Sequence, residues 1–130
     1  MDRLLLEVLR ERAKFRQLRT AVPDQMVGQE TVAMLAWYDQ FFKTFPDKDY
    51  VDTESLRSLF NLRVGNSVDD NQRAVMNVLF RKLDESVDAV AVDGIASELY
   101  QLDFKGKAAA LINRYDNGEE IDLTFELNRL

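Results

Sequence analysis

Apolar positions recur at helical spacing along almost the whole chain. The densest stretch, QETVAMLAWYDQFFKTF from Gln29 to Phe45, is apolar nearly all round, the pattern of a helix buried on every side. Before it, Leu4, Leu5, Val8, Phe15 and Leu18 share a stripe over about residues 3–18, interrupted by Glu11 and Arg12. One helix, or two short ones jointed near Arg12, fits that pattern. Pro23 suits a first helical turn. Gly28 weakens the segment ahead of the long helix. Pro46 ends that helix, because it disfavours helical geometry in the residue before it. Asp52 then reads as the cap of a helix with Leu56, Leu59, Phe60 and Val64 inward. After the interruption at GNS, Ser67 is the expected cap of a helix running to about Glu85. Asp69 and Asp70 sit favourably in its first turn, and Val68, Val75, Met76, Leu79 and Leu83 point inward.

SVDAVAVDG reads mostly as loop, although Val87, Val90 and Val92 would also suit a short extended piece. A helix over Ile95, Leu99 and Leu102 follows. Another carries Phe104, Ala108, Leu111, Ile112 and Tyr115 at i, i+4, i+7, i+8 and i+11, with Gly106-Lys107 marking a joint between the two. Gly118 suits the left-handed position that stops it. Asp122 restarts a helix on which Leu123, Leu127 and Leu130 form one stripe, and the apolar spacing is still running where the sequence ends, as in a piece of a longer protein. The pattern predicts an all-α fold, a compact bundle of about five to seven helices with a C-terminal helical hairpin or linker segment. Residues 1–118 form the domain and residues 119–130 begin a linker.

Composition narrows the partners. At 130 residues, one domain with a real core is expected. The net charge of −6 argues against nucleic acid as the main partner, since affinity for phosphates needs a cationic surface. The charge is uneven. Residues 1–20 hold Arg3, Arg10, Arg12, Lys14, Arg16 and Arg19 against Asp2, Glu7 and Glu11, a net +3, which leaves −9 for the rest. Arg10, Arg12, Arg16 and Arg19 are therefore candidates for a partner or assembly surface, against the plainer reading of a solvated helix face. Leu123, Leu127 and Leu130 are the apolar candidates for the same role. Direct nucleic-acid binding is expected to be weak or absent. No run approaches the roughly 20 apolar residues that cross a membrane, and MDRLLLEVLRER is not a secretory signal.

No constellation for catalysis is legible. Histidine and cysteine are both absent, which removes the commonest general base and the usual transition-metal and thiol ligands. FKGKAAA is not a phosphate loop: Gln101 stands where the first glycine belongs, and Ala108 follows Lys107 in place of Ser or Thr. DKDYVD at 47–52 starts like a calcium loop, but Asp52 replaces the turn glycine and Ser58 the bidentate glutamate. No sequence feature places the Glu119–Glu120 pair in the pocket that a catalytic carboxyl pair needs. The aromatic group Trp37, Tyr38, Phe41, Phe42 and Phe45 could stack bases or line a groove, but at helical spacing it reads as core. We expect no catalytic, cofactor or metal residues in this segment, and no enzyme activity.

The order of parts nevertheless resembles a known family. A leucine-rich first helix (Leu4, Leu5, Leu6) precedes a short charged segment with Phe15. Gly28-Gln29 then leads into a long helix ending in the aromatic turn Phe42-Lys43-Thr44-Phe45-Pro46-Asp47, and the acid-capped VDTESLRSLF follows. This resembles the N-terminal domain of phage-encoded DnaB-type replicative helicases, and LINRYDNGEEIDLTFELNRL is similar to the segment leading into that family's linker. The resemblance implies a helical collar, six copies to a ring, with self-association in the full-length hexamer and docking of a primase or a helicase loader. It places ATP and Mg only in a downstream motor domain, and the protein in a bacterial host's cytoplasm. The drift toward the phage pattern leaves open whether these collars pair into dimers. The rival readings are a stand-alone phage or bacterial adaptor for a host protein, and the helicase-binding domain of a primase. A phosphate loop coded within the next hundred or so residues would favour the helicase, and a stop codon near Leu130 the adaptor.

Overall fold

The computed structural model describes residues 1–65 and 67–130 and is all-helical, with seven α-helices among the described residues. They are α1 (Asp2–Val8), α2 (Arg12–Leu18), α3 (Gln29–Thr44), α4 (Thr53–Val64), α5 (Asp70–Leu83), α6 (Ala89–Asp116) and α7 (Leu123–Asn128). Two short 3-10 turns, Arg19–Ala21 and Asp24–Met26, join α2 to α3, and Pro23 caps the second of them from outside. The first predicted stripe is thus two helices, broken over residues 9–11. Gly28 caps α3.

The core lies where α3 packs among α1, α2, α4 and α5. Thr31, Met34, Leu35, Tyr38, Phe41 and Phe42 form its buried stripe, at the three- and four-residue spacing of one helix face. The opposite face is exposed at Ala33 and Ala36. The expectation that α3 is buried on every side is therefore corrected. Two alanines read as apolar, yet they can face water at little cost. Tyr38 is fully buried and donates its hydroxyl to the Leu6 carbonyl at 2.9 Å, tying α3 to α1. Burial pushes that phenol well above its ordinary pKa.

Asp52 caps α4 as the sequence predicts, accepting from the Ser55 amide at 2.9 Å. Burial alone would raise its carboxyl, but Lys48 at 2.6 Å and the Ser55 bonds outweigh that and pull it down to about 2. A depressed folded pKa adds stability that is complete above the unfolded value of 3.8 and fades as pH falls toward 2. Asp52→Ala should cost about 1 kcal/mol at neutral pH. Paired acid titrations of unfolding should show the gap between variant and wild type closing between those two values.

Asp69, not Ser67, caps α5. It closes a capping box with Gln72, whereas Ser67 lies before the turn and gives its hydroxyl to the Val64 carbonyl. A carboxylate three residues ahead of a glutamine offers both halves of that box, and a serine two residues earlier offers neither. The buried face of α5 is Met76, Phe80 and Leu83; Val75 is exposed and Phe80 takes its place. Phe60, Phe80 and Trp37 meet edge to face, with centroids 5.5 and 5.3 Å apart.

The largest departure is α6. One helix of 28 residues replaces the two helices read from the sequence and the loop before them from Ala89 onward, leaving only 86–88 non-helical, and Gly106-Lys107 lies inside it. Its first half packs on α1 and α2, with Ala96 and Leu99 in the core. α6 also packs on the Arg19–Ala21 turn, and α7 folds back on it in a hairpin. Gly118, at φ +89°, makes the left-handed turn between them.

Candidate functional site

Two of the four candidate arginines do structural work. Arg10 and Arg12 are only 6% and 9% exposed. They flank the break between α1 and α2, where the chain crosses the α3–α4 connection. Arg12 N donates to the Asp49 carbonyl at 2.7 Å, and Val51 N to the Arg10 carbonyl at 2.9 Å. The side chains hold the same strand of backbone. Arg10 Nε donates to Val51 O at 3.0 Å, and one of its terminal nitrogens to Leu83 O at 2.8 Å. Arg12 donates to Lys48 O (2.8 Å), Phe42 O (3.1 Å) and Phe45 O (2.6 Å), while lying 4.8 Å from the Phe42 ring centroid.

Proline chemistry explains part of this arrangement. In a continuing helix the Phe42 carbonyl would accept from the amide four residues on, but that residue is Pro46, which has no N–H. The Arg12 guanidinium supplies the missing donor. Nearby, burial pushes the Glu7 carboxyl up, but the hydrogen bond from Arg3 and the charge of Arg10 prevail and hold it below its usual value. Arg10 and Arg12 are thus withdrawn from the partner surface, because the fold consumes their donors.

Arg16 and Arg19 remain. Arg16 is exposed, and among the described residues it has no ion-pair partner. Arg19 is half-buried and pairs with Asp24 at 3.2 Å. Both line a shallow cleft of about 470 Å³ between α2 and the end of α3. Phe15 and Phe42, 5.4 Å apart, are nearly buried at its base. Lys43, paired with Asp39 at 2.8 Å, stands on the far wall.

The three leucine candidates separate as well. Leu123 and Leu127 are half-buried in the α6–α7 hairpin, whereas Leu130 is 43% exposed. The open apolar surface lies elsewhere, on Phe104 (49% exposed), Ile112 (44%), Tyr115 (51%) and Phe125 (57%). Helix geometry shows why. At about 100° per residue, Val92, Ile95, Ala96 and Leu99 cluster on one side of α6, while Phe104, Ala108, Leu111, Ile112 and Tyr115 cluster about 150° away. One helix therefore serves two surfaces. The first stripe enters the core. The second is buried at Leu111, half-buried at Ala108 and otherwise exposed. The spacing of these residues was legible in the sequence, and so was the phase slip, which mimics a helix break. Phe125 was missed because it lies off the leucine stripe.

Among the described residues, no group of three or more His, Cys, Asp or Glu is placed to share a metal ion, and no helix is long and apolar enough to cross a membrane. Comparison with known proteins finds no matching family model, no matching curated protein and no matching solved structure.

Proposed function

We propose that this chain is a non-catalytic assembly and partner-binding domain of a hexameric replicative DNA helicase. Its surfaces bring copies together and offer a platform for a primase or a loader in the host cytoplasm. ATP chemistry belongs to a motor elsewhere in the parent protein. The observation that carries this reading is the C-terminal hairpin. Two helices, α6 and α7, pack together as a hairpin that leaves Phe104, Ile112, Tyr115 and Phe125 open to solvent. A patch of large apolar side chains at such a site marks a protein contact. The order of helices supports the helicase context.

Association is the first test. The chain should self-associate in sedimentation at tens of micromolar, and Ile112→Asp should weaken that association by about tenfold or more with an unchanged far-ultraviolet spectrum, because Ile112 is exposed. A monomeric wild type, or a variant that associates equally well, would count against the assembly role. The parent is tested separately by the coding sequence downstream. A phosphate loop there supports the helicase, and a stop codon at this point moves the reading to a stand-alone adaptor.

A further inference from the structure

The cleft at Arg16 and the turn of the hairpin are complementary in charge and in apolar content. The cleft gathers Arg12, Arg16, Arg19 and Lys43 on a chain whose net charge is −6; Arg19 and Lys43 are paired with Asp24 and Asp39. Arg12 strengthens it from below. Its side chain is 10% exposed, its guanidinium donates to backbone carbonyls, and Asp49, with a 97% exposed side chain, lies only at 4.0 Å. A buried charge without a close counter-ion projects its field through low-dielectric surroundings to the surface above it. Arg16, without an ion-pair partner among the described residues, stands on that surface. Phe15 and Phe42 give the cleft an apolar base.

The hairpin turn has the opposite character. From Asp116 to Asp122 the sequence DNGEEID carries four acids and no base. Glu119 is paired with Arg114 at 2.8 Å and Asp122 caps α7, but Asp116 and Glu120 are exposed and have no ion-pair partner among the described residues. Ile121 lies between two of the acids as a half-buried apolar centre. The turn sits roughly 25 Å along the α6 axis from Leu99, the last core residue of that helix. The cleft lies between α2 and α3 within the body.

We propose that the cleft at Arg16 receives the acidic hairpin turn of a second copy, Glu120 meeting Arg16 and Ile121 meeting the Phe15–Phe42 base. Cleft and turn are different surfaces, so the contact is head-to-tail and propagates from copy to copy, closing a ring where the rotation allows. The inference rests on the assembly reading above, but it uses residues distinct from the apolar face of the hairpin. A single-stranded nucleic acid would satisfy the cations of the cleft equally well. The turn is favoured because it also supplies the apolar centre, and because the chain as a whole repels a polyanion.

The test is a charge swap on the 130-residue chain, followed by sedimentation at low and physiological salt. Arg16→Glu and Glu120→Arg should each weaken head-to-tail association by about tenfold or more, through like-charge contact. Both positions are exposed, and circular dichroism checks the fold of each variant. An equimolar mixture of the two variants should recover association, since each cleft then faces a turn of opposite sign. Wild-type association should also weaken as salt rises. Variants that assemble as well as wild type, a mixture that fails to recover, or a chain that stays monomeric would each overturn the proposal. If the swaps do nothing while Ile112→Asp weakens association, the hairpin reading stands and the cleft contact falls. A labelled oligothymidylate that binds wild type at physiological salt and is lost with Arg16→Glu would give the cleft to nucleic acid and overturn it as well.

Discussion

Arg12→Met should lower the stability of the domain by about 3 to 5 kcal/mol, a shift of roughly 2 M in the urea midpoint. The substitution keeps much of the volume and removes the donors. The carbonyls of Phe42 and Lys48 lose the bonds at 3.1 and 2.8 Å, and at Phe42 the chain has no amide to offer in return because Pro46 follows. A buried carbonyl left without a donor costs about 1–3 kcal/mol. Loss of the contact with the Phe42 ring adds a smaller amount, and removing a desolvated charge offsets part of the total. Arg12→Lys should recover little, since an ammonium cannot reach three carbonyls as a planar fork does. If Arg12→Met unfolds within 1 kcal/mol of wild type, the arginine is a surface group after all.

Phe41→Ala should cost about as much, 3–5 kcal/mol, because the ring is fully buried and packs against Phe42 and Phe45 at 5.6 and 4.9 Å. Trp37→Ala should cost clearly less. The sequence placed both aromatics in the core, four residues apart on one helix. The structure buries Phe41 completely and leaves Trp37 only partly buried, packed on the core edge to face with Phe60. The comparison is between two denaturation midpoints measured side by side. Equal losses would mean that Trp37 is covered as fully as Phe41, and a small loss at Phe41 would contradict the packing of α3.

Local chemistry made most of the helices legible. Asp52, Gly118, Asp122 and Pro46 act within a few residues of themselves, so their effects can be read without the fold. The errors share a different origin. The positive charges at Arg10 and Arg12 looked like a surface because their acceptors lie 30 to 73 residues away on backbone no pattern reveals. Val75 fitted the stripe of α5 as well as Phe80 did, and only the rings of Phe60 and Trp37 decide between them. In α6 the apolar stripe moves around the helix near Leu102, and a periodicity that changes phase looks the same as one that stops. Of the four arginines that the charge imbalance of the first twenty residues singled out, Arg16 is exposed and Arg19 half-buried, while Arg10 and Arg12 are buried. The leucine stripe of α7 marks the inner side of that helix, since Leu123 and Leu127 are half-buried.

The long helix also has a mechanical meaning. It is gripped by the body at Ala96 and Leu99, and its far end near Asp116 is exposed, so it behaves as a lever with its fulcrum in the core. A rotation of about 5° at Leu99 displaces the end near Asp116 by about 2 Å, enough to make or break a van der Waals contact. Gly106, where an added methyl group would meet nothing within 4 Å, puts the weakest helix former on the span midway along it and lets the outer part bend. Small repacking beneath α6 is thereby converted into large movement at its tip, and the tip can in turn follow an uneven neighbour without disturbing the core.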